Sequence, residues 1–321
     1  MSAPLRIALV TGKYPPEYSG AGLRSHNTYR RLLGEVPGLV VQVLCSGLER
    51  RRREDYRLDG IAVHRIRGFM DPQSGRMAQA MSGWAEALQV LPWLERTRPD
   101  VVHVVGACAV TAAAIAWARL RRVPLLVELV NAGASPAQSL PLLHRLWRPD
   151  LRRGTAIVAI SEALAERCRE LGLGELVWSR PNPVDTSRFH PDPDRRLELR
   201  RRLTPFTEED IVLACVGKFM PLKNQGFLLD VLAQLPSAYK LVLAGPVVRH
   251  GPWKKRDQEY LERVRRKVRV LGMEGRVQLV TEFVPAEEYI RLADVYLLPS
   301  LSEGLGTPML ESLACGVPVV A

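Results

Sequence analysis

The chain has 321 residues, 47% hydrophobic and 25% charged, which excludes a disordered or collagen-like polypeptide and leaves room for two domains with separate cores. Five scattered cysteines (Cys45, Cys108, Cys168, Cys215, Cys315) form no C-x-x-C, and the six histidines show no metal-ligand spacing, so neither a disulfide framework nor a protein-held metal is expected. The net charge of +11 rests on 45 Lys and Arg, of which only seven are lysine, and with 6% aromatic residues there is no stacking platform to suggest a nucleic-acid partner.

From the N-terminus, "MSAPLRIALVTGKYPP" offers too short an apolar run for a secretory leader. Short β-branched runs then alternate with helical patterns. Strands are predicted at 6–12, 39–45, 61–66, 101–105, 124–130 and 156–161, with helices between them, including 76–96 and 162–171. The long apolar stretch 101–120 is β-branched in its first half and alanine-rich in its second, so it reads as strand then helix, not as a membrane span. Arginine clusters at 49–54 ("ERRRRE") and 145–153 ("RLWRPDLRR") read as a solvated face or as contacts for anionic lipid or substrate.

The first loop, "GKYPPEYSGAGL", reaches Gly20-Ala21-Gly22 before a helix. A nicotinamide dinucleotide site would place G-x-G-x-x-G directly after the strand and an acid at the end of the next. Here Gly20 comes late, Ser25 replaces the third glycine and the second strand ends in Cys45-Ser46. The better reading is a loop whose backbone, at Gly22, meets a phosphate.

Near Pro181 the pattern breaks into "RPNPVDTSRFHPDPD", a crossing between a domain at 1–181 and another at 182–321. The second domain repeats the α/β logic with strands at 211–217, 239–245, 276–280, 295–300 and 317–321. Two Rossmann-like sheets in series are expected to face a cleft at the carboxyl ends of their strands.

Two loops of the second domain carry the chemistry. "GKFMPLKNQG" places Lys218 and Lys223 after its first strand, in a chain poor in lysine. "SEGLGTPMLESLAC" leaves a later strand, with Thr307 as the expected N-cap and Pro308 at the first helical position. Backbone N–H groups from Gly304 to Thr307 and the start of the helix suit an anion, most naturally a phosphate. Glu303 and Glu311 bracket that point and can accept hydrogen bonds from hydroxyls on either side. Hydroxyls flanking a diphosphate describe a nucleotide sugar.

Taken together, "PPEYSGAG", "DVVHVVGA", "RPNPVD", "VGKFMPLKN", "LAGP" and "LADVYLLPSLSEGLGTPMLESLACGVPVVA" resemble, in family order, the retaining glycosyltransferases of family 4. The resemblance implies the GT-B fold, with an acceptor-side first domain and a donor-side second domain. It implies transfer of a sugar from a nucleoside-diphosphate sugar to a hydroxyl with retained configuration, in glycan or glycolipid biosynthesis. On that basis Glu311 binds the donor ribose, and Glu303 with Gly304, Leu305, Gly306 and Thr307 holds the sugar and phosphate. Lys218 and Lys223 neutralise the leaving diphosphate without metal or other cofactor, and the base lies against backbone near Val284.

Two departures stand out. The histidine that the family places at the end of the strand at 124–130 is missing; Val130 or Asn131 falls there, and Asn131 can hydrogen-bond but cannot serve as a base near neutral pH. "PNPVD" replaces P-N-G-V-D, with Pro183 stiffening the crossing. The family also continues beyond "GVPVVA", so the second domain is expected to be incomplete and its sheet edge open. A non-catalytic nucleotide-sugar-binding relative is the alternative. Expected partners are a nucleotide sugar and a glycan, lipid-linked or small-molecule acceptor. The expected setting is the cytoplasm, with the arginine clusters available to the inner membrane face.

Overall fold

Period-two alternation of β-branched residues, broken by helical segments, folds each half of the chain around its own sheet. The computed structural model describes residues 3–17, 19–47, 52–69, 74–130, 154–251 and 253–321. The chain divides into two units, Met1–Pro181 and Asn182–Ala321.

The first unit runs β1 (Leu5–Thr11), α1 (Gly20–Glu35), β2 (Leu39–Gly47), β3 (Glu54–Leu58), β4 (Ile61–Arg67), α2 (Arg76–Thr97), β5 (Val101–Val105), α3 (Ala109–Arg121), β6 (Leu125–Leu129), β7 (Thr155–Ala159), α4 (Glu162–Glu170) and β8 (Val177–Ser179). The sheet order is β3-β4-β2-β1-β5-β6-β7-β8. Every pairing is parallel except β3 with β4. Successive residues of β1 feed opposite faces, with Ala8 and Val10 in one core and Leu9 in the other. Each face is therefore sealed by its own apolar layer.

The second unit runs α5 (Pro193–Leu203), β9 (Ile211–Val216), α6 (Phe227–Ala233), β10 (Tyr239–Ala244), α7 (Lys254–Val270), β11 (Val277–Val280), α8 (Ala286–Arg291), β12 (Val295–Leu297), α9 (Thr307–Ala314) and β13 (Val319–Val320). Its order is β11-β10-β9-β12-β13, all parallel. Leu213 and Cys215 of β9 enter one core, Val212 and Ala214 the other. Burying one such leucine or valine contributes about 1.5–3 kcal/mol, so this alternation fixes the strand register.

Both sheets are the parallel α/β sheets the sequence predicts, with two differences. Strands β3 and β8 were not expected. For β3 the signal was present: Asp59 and Gly60 take φ of 46° and 82°, the positive values of a two-residue hairpin turn between β3 and β4. For β8 it was not, since three residues carry little periodicity.

One close approach sets the carboxyl edge of the second sheet. Gly245, at φ 147°, follows β10 and lies against the backbone leaving β9, where a Cβ would stand 2.2 Å from the Gly217 carbonyl oxygen. Gly217 donates its N–H to the Ala244 carbonyl at 2.8 Å, and Phe219 donates to the Pro246 carbonyl at 3.0 Å. No side chain fits there without moving backbone. Gly245→Ala is expected to cost about 3 kcal/mol. Urea unfolding checks this, and a parent-like midpoint would show that the two loops are not pinned at that point.

Candidate functional site

In the second sheet the strand order reverses between β9 and β12, so the loops that leave these neighbouring strands diverge. Ligand sites of open parallel sheets form at such a point. The loops here are joined by backbone, because Leu301 donates its N–H to the Leu222 carbonyl at 2.9 Å. That bond places residues 217–226 alongside residues 298–306.

The first loop is held from within and from α7. Buried Gln225 donates its side-chain amide to the Lys218 carbonyl at 2.9 Å. Gly226 donates its N–H to the Tyr260 hydroxyl at 3.1 Å, and Lys267 Nζ donates to the Gly226 carbonyl at 3.0 Å. Lys218 Nζ lies 2.8 Å from Oδ2 of Asp257, whose side chain is 0% exposed, and Arg256 Nη2 lies 2.7 Å from the other oxygen. Asp257, Gln225 and Tyr260 were not singled out in the sequence. They act through tertiary contact and have no motif of their own.

Lys223 pairs with Glu303 across the loop junction. The two sequence candidates therefore meet, each about a quarter exposed. The Cys215 thiol, beneath them at the end of β9, is pushed up to about 12 by burial, with opposing contributions from Lys223 and Glu303, so it is inert as a nucleophile.

Gly304 and Leu305 form the half-buried bend after Glu303. Gly306, not Thr307, is the N-cap of α9; it takes φ 72° and ψ 46°, and Thr307 and Pro308 are already helical. The physical reason is that the bend needs a left-handed residue, which threonine resists. Thr307 Oγ1 instead accepts a hydrogen bond from Asn182 Nδ2 at 2.8 Å. Among the described residues, no backbone carbonyl takes the N–H groups of Gly304, Leu305, Gly306 or Thr307. Those donors lie at the positive end of α9.

Glu311 stands in the second turn of α9. Burial pushes its carboxyl above the ordinary range; the Arg188 guanidinium opposes the shift and Glu287 adds to it. Arg188 is itself held by Glu287, with Nη2 to Oε2 at 2.7 Å. Among the described residues no hydrogen bond or ion pair reaches the Glu311 carboxylate. Val284 is partly buried against the neighbouring core, in the segment that follows β11.

In the first unit, Ser19 caps α1 by accepting the Gly22 N–H at 3.1 Å. Gly22 also packs onto the Lys13 carbonyl, where a Cβ would stand 2.4 Å from the oxygen, so this glycine serves helix-to-loop packing. Asn131, residues 49–51 of the first arginine cluster and all of the second lie outside the described residues. Two residues before Val130, the buried Glu128 lies 2.5 Å from Arg24 Nη2 and 3.4 Å from His103 Nε2. Burial pushes the Glu128 carboxyl up, but His103 and Arg24 outweigh it and leave it below the usual range. His103 is a buried residue of β5 with polar partners: its Nδ1 lies 2.7 Å from the Tyr29 hydroxyl.

The Glu311 geometry has a consequence for stability. A glutamate whose folded pKa exceeds its unfolded value, about 4.3, holds its proton more tightly in the fold. Stability is therefore lost as pH rises from that value through the raised one. Glu311→Gln removes the cost, so its Tm should exceed the parent's at pH 8 and the gap should close toward pH 4. A lower Tm for the variant at pH 8 would mean the carboxylate is satisfied in the fold.

The fold agrees with comparison to known proteins. The family "Glycosyl transferase 4-like domain" matches residues 19–179, and "Glycosyl transferases group 1" matches residues 198–321. A GDP-mannose-dependent alpha-(1-6)-phosphatidylinositol monomannoside mannosyltransferase of Mycolicibacterium smegmatis is 36% identical over 155 residues, 44% of this chain and 37% of that protein. The alignment thus spans little more than a third of that relative. The putative teichuronic acid biosynthesis glycosyltransferase TuaC of Bacillus subtilis is 25% identical over 339 aligned positions, covering 98% of this chain and 80% of that one. Among solved structures, Anabaena HepE in complex with UDP and glucose superposes with a TM-score of 0.72 at 21% identity, over 99% of this chain and 80% of HepE. Sucrose-phosphate synthase from Thermosynechococcus elongatus gives 0.76 at 18% identity, over 98% and 80%. With one family match in each unit and a GT-B fold shared along nearly its whole length, the chain belongs to the family 4, group 1 type of glycosyltransferase.

Proposed function

We propose that the protein transfers a sugar from a nucleoside-diphosphate sugar to an acceptor hydroxyl, with retention of anomeric configuration, in glycan or glycolipid biosynthesis. The observation that carries this is the meeting of Lys223 and Glu303 where the β9 and β12 loops join, beside unspent N–H groups at the start of α9. In the free protein the two charges neutralise each other. When a diphosphate arrives, Lys223 exchanges carboxylate for phosphate oxygens, with Lys218 as second cation, and Glu303 turns to the sugar hydroxyls. Charge-assisted hydrogen bonds to phosphate outcompete a partly exposed ion pair, which contributes about 0–1 kcal/mol. Glu311, with no partner among the described residues, accepts from the ribose hydroxyls, and backbone near Val284 meets the base.

The chemistry needs no protein base. As the bond from the anomeric carbon to the phosphate oxygen breaks, the acceptor oxygen bonds to that carbon on the same face. The acceptor proton passes to the departing phosphate. The protein contributes position and leaving-group stabilisation. On this account the lack of an imidazole at Val130 or Asn131 is tolerable.

The test is calorimetric titration with UDP and GDP, alongside a transfer assay and product anomer assignment by NMR. Loss of one charged hydrogen-bond partner costs about 1.5–3 kcal/mol, so Lys223→Ala and Glu311→Ala should weaken nucleotide binding by tenfold or more, while the exposed Glu274→Ala leaves it unchanged. Parent-like binding by both site variants rejects the site. Binding by the parent without turnover on any donor would make the protein a nucleotide-sugar-binding relative.

Asp257 enters as a positioning residue, through Lys218. Asp257→Asn should weaken nucleotide binding about tenfold in the parent and add nothing in a Lys218→Met background. Additive losses in that double-mutant cycle would mean Asp257 acts only by supporting the fold.

A further inference from the structure

Asn182 stands between two prolines, Pro181 and Pro183, and Pro183 replaces the glycine of P-N-G-V-D. Pro183 is exposed, so what it contributes is backbone stiffness. Its own φ is fixed, and the residue before a proline is confined to extended conformations. Downstream the segment is anchored in the second unit. Val184 packs against the core there, Phe189 is buried in it, and Arg291 Nε donates to the His190 carbonyl at 3.0 Å. The Asn182 side chain is thus presented from a held backbone. It makes one hydrogen bond among the described residues, from Nδ2 to Thr307 Oγ1 at 2.8 Å, and its Oδ1 is buried with no donor among them.

That bond decides which way the threonine hydroxyl works. A hydroxyl has one proton to donate and lone pairs with which to accept, whereas an amide nitrogen only donates. Because Asn182 donates into Oγ1, the Thr307 proton must point to some other acceptor, and no described residue supplies one. Thr307 is the first residue of α9, and no described carbonyl takes its N–H. It therefore brings two donors, N–H and O–H, to the positive end of the helix. A threonine whose hydroxyl donated back into the fold would bring one.

Given a diphosphate at the start of α9, as the proposed reaction requires, we infer that Asn182 is a positioning residue for it: Asn182 holds the Thr307 hydroxyl as a hydrogen-bond donor to a phosphate oxygen, and Pro183 holds Asn182 in place. The phosphate then meets a donor that is already oriented, and none of the binding free energy is lost in fixing a rotating hydroxyl.

The experiment is calorimetric titration of the full chain with UDP and GDP. Thr307→Val, which keeps the shape and removes the hydroxyl, should weaken binding of whichever nucleotide the parent takes by about tenfold, and Thr307→Ser should recover most of that loss. Asn182→Ala should weaken binding about fivefold in the parent and have no effect in the Thr307→Val variant. Asn182→Asp should lose more than Asn182→Ala, because a carboxylate has no N–H and draws the hydroxyl proton to itself. Pro183→Gly should lose about threefold, and nothing further in the Asn182→Ala variant. Parent-like binding by Thr307→Val or Asn182→Asp overturns the inference. Additive losses from Thr307→Val and Asn182→Ala also overturn it, since Asn182 would then act only by supporting the fold. If Lys223→Ala and Glu311→Ala weaken binding while Thr307→Val does not, the donor site stands and the role of Asn182 falls. If the parent takes neither nucleotide, both fall.

Discussion

The site rests on one backbone hydrogen bond, from the Leu301 N–H to the Leu222 carbonyl, which closes the gap between two loops that the sheet topology sends apart. Parallel strands β9 and β12 are neighbours, yet the chain leaves them toward opposite faces. Without a tie, a lysine on one loop and a glutamate on the other would be independent surface charges. With it, Lys223 and Glu303 meet at the carboxyl edge of the sheet beside the start of α9. The tie is itself supported by packing too close for any side chain at Gly245 and by the hold of buried Gln225 on its own loop.

The second unit spends stability on this arrangement. A desolvated carboxyl at Glu311, with no hydrogen bond from the described residues to offset its burial, raises the free energy of the fold, and so do helix-start donors that no described carbonyl takes. Both become favourable only when hydroxyls and phosphate oxygens arrive. Asp257 shows the opposite economy: it is fully buried, but Lys218 and Arg256 compensate it, so it can fix the position of a cation without being exposed to solvent. The first unit compensates its buried Glu128 in the same way, with Arg24 and the His103 ring as partners.

Much of this was legible from local pattern. Alternation of β-branched runs with helices gave the two parallel sheets, and the scarcity of lysine made Lys218 and Lys223 conspicuous. The strand β3 was also readable from Asp59-Gly60, a hairpin signal that a search for parallel units passes over. Other features had no local trace. Thr307-Pro308 reads as cap and first turn, but the bend needs a left-handed residue, and Gly306 takes the cap while Thr307 turns to Asn182. Nor does Gly22 announce along the chain that its N–H goes to Ser19 and that its missing side chain accommodates the Lys13 carbonyl.

The sequence by itself determined which segments become strands and helices, because side-chain periodicity and turn residues act over a few positions. It also determined the order of those segments, and with it the place where strand order reverses. Only the tertiary structure decided which charges meet. Pairings such as Lys223 with Glu303, or Lys218 with Asp257, join residues many positions apart, and short-range electrostatics has no signature along the chain. The bond from Asn182 to Thr307 was decided there too, since no rule of spacing relates residues 125 positions apart.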